Sequence, residues 1–171
     1  MTQAFYLLWA LARGFGGATQ TAMLGSMGRT RGPAEATWVS IAATVAGLAV
    51  LFSVRALRGD DPLLPAPFNQ PLIFAGIAAV TGVSLALSMR GLDPYLAVTG
   101  LFGLAFLVST GELVPRLGVA LFLGASTAGT LMGRVAYDHI GAFGGAVHHV
   151  TPLRLGGLLF MMFGVVLVRL D

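Results

Sequence analysis

Residues 71–89 read PLIFAGIAAVTGVSLALSM, nineteen consecutive residues without a charged side chain. A transmembrane helix needs about 20 predominantly apolar residues to cross the hydrocarbon core of a bilayer. The run is unbroken and does not alternate between apolar and polar residues, so it lacks the period of a membrane barrel strand. We therefore predict a membrane-spanning helix over 71–89.

Five further stretches have the same length and character. Together with the first, the predicted spans are 4–27, 34–57, 71–89, 94–113, 117–136 and 153–170. Only short connections remain, so the sequence predicts an all-α, polytopic membrane helix bundle that forms a single transmembrane domain over residues 1–171. The span over 71–89 has the weakest flanks, and five spans are the alternative if it lies flat or re-enters the membrane.

The composition of the chain agrees with this interpretation. Of its 171 residues, 56% are hydrophobic and 10% are charged, and the mean hydropathy is +0.85. A soluble domain carries roughly 25% charged residues, so this chain cannot cover a water-facing surface. That excludes a cytosolic globular enzyme, a disordered chain and a nucleic-acid binder. The absence of cysteine excludes disulfides, thiolate metal sites and cysteine nucleophiles.

Prolines mark the predicted starts of helices, where a missing backbone N–H is tolerated. The four prolines at these positions are Pro33, Pro71, Pro94 and Pro152. Asp93 and Thr151 precede two of them and are expected to be N-caps. Two longer connections, 58–70 (which includes Asp61) and 136–151, are the predicted loops.

All positive side-chain charges other than histidine are arginines, and their distribution does not fix the orientation in the membrane. Six spans would place both chain termini on one side. On that side lie Arg55, Arg58, Arg116 and Arg169, and on the other lie Arg29, Arg31, Arg90, Arg134 and Arg154. The positive-inside rule reads the difference between the two sides. Four against five permits insertion either way up, and hence an antiparallel homodimer.

Small residues recur at helical spacing on two of the predicted spans. They are Gly17, Thr21 and Gly25 on the first span, and Gly124, Ala128, Gly129 and Gly133 on the fifth. Small residues four apart let helix backbones approach closely in lipid. Packing between helices of one chain is the simpler interpretation, and packing between protomers is the alternative.

The polar residues of the first span share one helical face. Arg13 lies about 14 Å from the start of that span at 1.5 Å per residue, and a central charge costs about 2.5–3.5 kcal/mol on insertion scales. Because Arg13, Gly17 and Gln20 follow the 3–4 spacing of one face, we predict that they line a substrate pathway. In the alternative, Arg13 extends to the nearer interface and Gln20 hydrogen-bonds to a neighbouring helix.

Glu112, near the end of the fourth span, has two candidate partners. It is predicted to lie on the same side of the membrane as the start of the first span, so an ion pair with Arg13 is permitted. Such a pair would make Glu112 the candidate coupling residue if protons drive transport. The alternative is a local pair with Arg116, one helical turn later.

The other ionisable residues give no site. Glu35 falls in the first turn of a predicted helix, where a carboxylate complements the helix dipole, and Arg134 and Asp138 are expected to form a surface pair. Three histidines in the second loop lack a carboxylate or cysteine at a metal-binding spacing. Because no catalytic motif appears, we expect neither an enzyme nor a bound metal or cofactor.

Four segments, in this order, resemble the YdcZ-like inner-membrane exporters, a branch of the drug/metabolite transporter superfamily. They are GGATQTA at 16–22, VPRLGVA at 114–120, YDHIG at 137–141 and PLRLGG at 152–157. The resemblance implies a half-size transporter of about five helices that pairs into a ten-helix unit, with Gln20 as the glutamine of the family. This chain departs from the family at Leu24, where an asparagine is common, and at 71–89, which looks like an insertion.

These observations lead to two functional hypotheses. The first is an exporter of a small polar or amphipathic solute, which sits in the bilayer of the bacterial inner membrane and works by alternating access as a homodimer or a paired half-transporter. The second is a non-transporting accessory or assembly subunit of a larger membrane complex. The absence of an acidic residue deep in a span favours the second, whereas the resemblance favours the first.

Overall fold

The computed structural model describes residues 3–60 and 62–170, and the side chains of 169 and 170 are not described. Asp61 therefore lies outside the described residues. Six long helices, and no strand, occur in the described part. Their bounds are α1 Gln3–Arg31, α2 Pro33–Leu57, α3 Pro71–Ser88, α4 Thr99–Leu117, α5 Val119–Ile140 and α6 Pro152–Leu170. Short 3-10 helices cover Pro94–Val98 and Ala142–Gly144. The all-helical bundle is confirmed.

Four helical segments are long and apolar enough to cross a membrane: Pro33–Leu57, Pro71–Ser88, Pro94–Leu117 and Val119–Ile140. The first helix, α1, is not among them, because Arg13, Gln20 and the arginines at its end lower its mean hydropathy. The described apolar part of α6, Pro152–Val168, falls just below the required length. A membrane crossing by α1 and α6 therefore stays a prediction.

The helix boundaries confirm some sequence signals and correct others. Pro33, Pro71 and Pro152 begin their helices, and the hydroxyl of Thr151 accepts a hydrogen bond from the N–H of Arg154 (3.3 Å) as predicted. Asp93 occupies the predicted N-cap position before Pro94, but its side chain makes no capping hydrogen bond.

Three helices end later than the apolar pattern predicted. The first span was expected to end at 27, the fourth at 113 and the fifth at 136, whereas α1, α4 and α5 continue to Arg31, Leu117 and Ile140. The turn after α1 lies at Gly32 and the turn after α4 lies at Gly118. Their φ angles of 101° and 79° are ones that only glycine adopts readily. The second predicted loop is accordingly shorter than 136–151.

The chain forms two compact units. The first comprises Met1–Ser26 and Ala105–Asp171, and the second comprises Met27–Leu104. The first unit has an apolar core of Ala10, Leu113, Leu117, Leu121, Phe122 and Ala125. In the second unit α2 packs on α3, where the rings of Phe52 and Phe74 lie 4.8 Å apart.

The outer helices expose most of their apolar side chains. Only 6% of the residues of α3 are buried inside the structure. Leu153 and Phe160 of α6 are 86% and 79% exposed. A soluble protein would not leave such surfaces in water. These faces therefore fit the hydrocarbon of a bilayer.

Candidate functional site

Arg13 is buried near the middle of α1 in the first unit. Only 8% of its surface is exposed, and its guanidinium carbon lies 5.2 Å from the centroid of the Phe106 ring on α4. That distance is within the range of a cation–π contact, which Arg makes readily with its planar head group. A buried cation therefore lies against an aromatic ring about 15 Å along α1.

The other predicted pathway residues follow Arg13 along the helix. Gly17 and Gln20 are both half-buried. The position of a Cβ on Gly17 would lie 3.7 Å from the hydroxyl oxygen of Thr130, an ordinary contact distance, so Gly17 faces α5. This face of α1 carries two polar side chains, Arg13 and Gln20, with Gly17 between them, and Arg13 is the most buried of the three. Its role as a solute pathway stays a prediction.

The closest contact in the first unit is between α1 and α5 at Gly14. A Cβ on Gly14 would overlap the carbonyl oxygen of Ser126, and a Cβ on Gly129 would overlap that of Leu11. The hydroxyl of Thr130 lies 3.0 Å from the carbonyl oxygen of Gly14 and 2.9 Å from that of Ser126. A single hydroxyl hydrogen can be shared between two such acceptors. We call this contact the Gly14 crossing.

The predicted small residues of α5 lie against two different helices. On α5, Ala128, Gly129 and Gly133 are buried, and a Cβ on Gly133 would press on Ala18 of α1. Gly124 faces α6 instead, since a Cβ there would lie 3.1 Å from Val165. These residues lie at contacts between helices of one chain, and their role in helix packing stays a prediction.

On α1, by contrast, the residues that meet α5 differ from the predicted stripe. Thr21 and Gly25 are exposed, and the hydroxyl of Thr21 donates to the carbonyl of Gly17 on its own helix (2.9 Å). The buried small residues are Ala10, Gly14 and Ala18. They have the same four-residue spacing as the predicted stripe. The sequence was therefore compatible with either of two small-residue faces on α1.

Glu112 forms an ion pair with Arg116. Its carboxylate lies 2.7 Å from the Arg116 guanidinium, and both side chains are almost half exposed. Arg116 in turn donates to the hydroxyl of Tyr6 (3.2 Å) and covers the face of that ring. The local alternative that the sequence left open is therefore formed, and a proton-coupling role for Glu112 stays a prediction.

A cavity of about 250 Å³ in the first unit brings polar groups of α1 and α5 together. Its lining residues are Ala18, Thr21, Ala22, Arg134, Tyr137 and Asp138. The hydroxyls of Thr19 and Tyr137 are hydrogen-bonded at 2.7 Å beside it. Asp138 pairs with Arg154 (3.7 Å) rather than with Arg134 as expected. Sequence reasoning missed Tyr137 because nothing local links it to α1.

The second unit has a cavity of different character. It measures about 330 Å³ and is lined by Arg31, Ala34, Glu35, Trp38, Val39 and Ser88. Arg31 and Trp38 donate to the backbone and the hydroxyl of Ser88 at 2.6 and 3.1 Å. These bonds tie the end of α1 and the start of α2 to the end of α3. We therefore interpret this cavity as part of the packing between these helices.

The comparisons with known proteins agree with the helical membrane architecture. A family model described as "Putative inner membrane exporter, YdcZ" matches residues 5–167. No curated protein and no solved structure matches the chain. The match includes every segment that carried the resemblance in the sequence, so that recognition is confirmed. Because the matched region covers almost the whole chain, the protein belongs to the YdcZ family of inner membrane exporters.

Proposed function

We propose that the protein exports a small polar or amphipathic solute across the bacterial inner membrane by alternating access. It acts as a multi-pass carrier, and a dimer of half-size units is the working form. The family is one of inner membrane exporters rather than of enzymes, which supports the class. The solute and the mechanism rest on the residues of α1.

The observation that carries the proposal is the burial of Arg13. An ionised side chain inside a span is expensive, and such residues mark substrate or ion pathways. The ring of Phe106 favours the cation from one side, by about 0.5–2 kcal/mol for a cation–π contact. A retained positive charge at this depth suits a solute with an anionic or hydrogen-bond-accepting group.

Gln20 and Gly17 extend this pathway along the same face. The amide of Gln20 can both donate and accept hydrogen bonds, which suits a polar solute in a site shielded from water. Gly17 leaves room between the two polar side chains. The cavity beside Thr21 and Tyr137 lies at the next turns of α1, and we assign it to the entrance of the pathway.

A dimer follows from the small number of polar side chains in the spans. One chain of about six helices offers few groups to line a cavity near the bilayer midplane, and a second copy doubles them. The balance of arginines on the two sides allows either a parallel or an antiparallel pair.

Efflux from proteoliposomes that contain only the purified chain tests the proposal. Carboxyfluorescein and ethidium, two amphipathic dyes of opposite charge, serve as probes. We expect the anionic dye to leave faster, and Arg13→Gln to slow it at least about tenfold, which corresponds to about 1.4 kcal/mol. Gln20→Ala should raise the dye concentration needed for half-maximal efflux. Arg58→Gln, which changes an exposed arginine after α2, is the matched control.

The accessory-subunit hypothesis is the second candidate, and the exposed face of α1 favours it. Thr21 and Gly25 are exposed, and small residues at this spacing suit close packing against another chain. A purified chain that moves neither dye, but that co-purifies with a membrane partner until Gly25→Leu removes it, would establish this role and reject the exporter.

A further inference from the structure

The junction between α1 and α2 recurs between α4 and α5. Gly32 and Gly118, 86 residues apart, precede α2 and α5 with φ/ψ angles of 101°/157° and 79°/158°. This region of the backbone map is open almost only to glycine. The same pair of backbone hydrogen bonds flanks each: Gly32 with Gly28 and Ala36 (3.0 and 3.2 Å), Gly118 with Val114 and Phe122 (2.9 and 3.1 Å).

The helices that follow these glycines bury the same positions. The matching buried pairs, each 86 residues apart, are Ala36 and Phe122, Val39 and Ala125, Ser40 and Ser126, Ala42 and Ala128, and Ala43 and Gly129. The sequences SIAATVAG at 40–47 and STAGTLMG at 126–133 share Ser, Ala, Thr and Gly at corresponding places. Each buried residue in these pairs of α2 therefore corresponds to the residue of α5 that lies 86 positions later in the chain.

The closest contact of the second unit reproduces the Gly14 crossing. A Cβ on Gly100 would overlap the carbonyl oxygen of Ser40, as one on Gly14 would overlap that of Ser126. The hydroxyl of Thr44 lies 2.8 Å from the carbonyl oxygen of Gly100 and 2.9 Å from that of Ser40. We call this contact the Gly100 crossing. Gly14 and Gly100 are again 86 residues apart.

The helices that carry these two glycines also correspond. Counting the 3-10 helix Pro94–Val98 that leads into α4, the buried pairs at the same separation are Ala10 and Leu96, Arg13 and Thr99, Met23 and Ser109, and Met27 and Leu113. Within each half of the chain the second helix packs on the third, α2 on α3 and α5 on α6. One separation therefore relates the junctions, the buried faces and the two crossings.

We infer that the chain is a duplicated three-helix unit, repeat 1 (α1–α3) followed by repeat 2 (α4–α6), whose second repeat crosses the membrane in the opposite sense to the first. The inversion follows because each repeat contributes an odd number of spans, so the chain enters repeat 2 from the side opposite to its entry into repeat 1. Inverted repeats of this kind build many secondary transporters.

The two crossings exchange partners between the repeats. The first helix of repeat 1 packs on α5 at the Gly14 crossing, and the first helix of repeat 2 packs on α2 at the Gly100 crossing. In inverted-repeat carriers, one repeat or bundle moves against the other around a fixed site. Resting here on the proposed function, we assign the two crossings as equivalent contacts whose geometries interchange when the pathway opens to the other side.

The repeats have diverged at the positions proposed for the solute. Thr99 occupies the place of Arg13 in repeat 2, and Phe106 occupies the place of Gln20. Phe106 is also the ring that the Arg13 guanidinium covers. Repeat 1 therefore supplies the polar groups and repeat 2 an aromatic surface, so a symmetric scaffold carries an asymmetric site.

Counting labels per molecule tests the inverted repeat without a solute. The chain has no cysteine, so Asn69→Cys, between α2 and α3, and Ala146→Cys, between α5 and α6, can be combined in one chain. Both positions are exposed. Labelled in spheroplasts, whose outer membrane is opened, with membrane-impermeant maleimide-polyethylene glycol, this variant should gain one polymer per chain, whichever way it inserts. After detergent it should gain two.

The matched control places both cysteines in one loop. Leu63→Cys with Asn69→Cys should gain either two polymers or none in spheroplasts, never one. If the Asn69/Ala146 variant behaves like this control, its loops lie on one side, the number of spans between them is even, and the inverted repeat is overturned. A chain that shows one polymer but moves neither dye would keep the repeat and reject the exporter, so the two failures are distinguishable.

Discussion

The Gly14 crossing and the Gly100 crossing use the same backbone contact but differ in the side chain next to it. In both, a threonine hydroxyl bridges the carbonyl of the glycine and the carbonyl of a serine on its own helix. Arg13 precedes Gly14, whereas Thr99, whose hydroxyl donates to Leu96 on its own chain segment (2.6 Å), precedes Gly100. The close helix contact is therefore the same in both crossings, whereas the preceding residue is charged only at the Gly14 crossing.

The crossings also differ in how many glycines they need. On α5 a second glycine, Gly129, lets the backbone of Leu11 approach, whereas the corresponding residue of α2 is Ala43, which has a Cβ. Two glycines allow a closer approach than one, because each removes a Cβ from the interface. The Gly14 crossing should therefore tolerate added volume less well.

The largest expected effect comes from adding a methyl group at these glycines. Gly14→Ala and Gly100→Ala each place a Cβ onto a backbone carbonyl, which cannot move aside as a side chain can. We expect each to lower the free energy of unfolding by about 3 kcal/mol, the upper part of the usual range for overpacking, with the greater loss at Gly14. Reversible unfolding of the purified protein in mixed detergent measures this.

Gly76→Ala in α3 and Gly156→Ala in α6 are controls, since a Cβ there would meet nothing within 4 Å. They should leave stability unchanged or raise it by up to about 1 kcal/mol through helix propensity. A loss at Gly14 with none at Gly100 would break the equivalence of the two crossings.

Removing the bridging hydroxyl should have a smaller effect. Thr130→Val and Thr44→Val keep the shape of the side chain but lose the hydrogen bond across the crossing, which is worth about 0.6–2 kcal/mol between membrane helices. We expect similar losses in the same unfolding measurement, which would sharpen the comparison.

Thr37→Val is the matched control for these two variants, because the Thr37 hydroxyl donates to Pro33 on its own helix (2.8 Å). Its stability should stay within about 0.5 kcal/mol of the parent chain. If Thr37→Val costs as much as Thr44→Val, the hydroxyl acts within its helix and the bridge contributes nothing.

The smallest stability effect is expected at exposed ion pairs, and we choose one pair from each unit. Glu112 pairs with Arg116 in the first unit and Asp60 with Arg55 in the second, and surface pairs contribute about 0–1 kcal/mol. Glu112→Gln and Asp60→Asn should therefore both unfold almost as the parent chain does. A loss of more than about 1 kcal/mol in either variant would show that its pair contributes more than an exposed pair should.

Much of the helical framework could be predicted from local signals. Prolines at 33, 71 and 152 mark helix starts because their missing N–H costs nothing there. The ends were less predictable: apolar residues thin out before Gly32 and Gly118, but the chain turns only at these glycines, where a positive φ is available. A hydropathy pattern shows where the apolar residues become fewer, whereas the backbone conformation decides where the helix ends.

The partner of Glu112 was open for a similar reason. Arg116 lies one turn away and Arg13 lies on another helix, so the sequence permits both ion pairs. The local pair is formed, because it needs only two exposed side chains on one helix, whereas the alternative would draw the carboxylate toward the buried part of α1.

By itself, the sequence determined that this is a membrane protein of long helices and that it resembles the exporter family, because hydropathy, proline positions and motifs are properties of neighbouring residues. Only the tertiary structure decided that α1 meets α5 most closely at Gly14 and Ala18, whereas Thr21 and Gly25 of the predicted stripe are exposed. Both faces follow the same spacing, so the choice depends on the partner helix, more than 100 residues further along the chain. Close packing selects the face on which the small residues of both helices coincide.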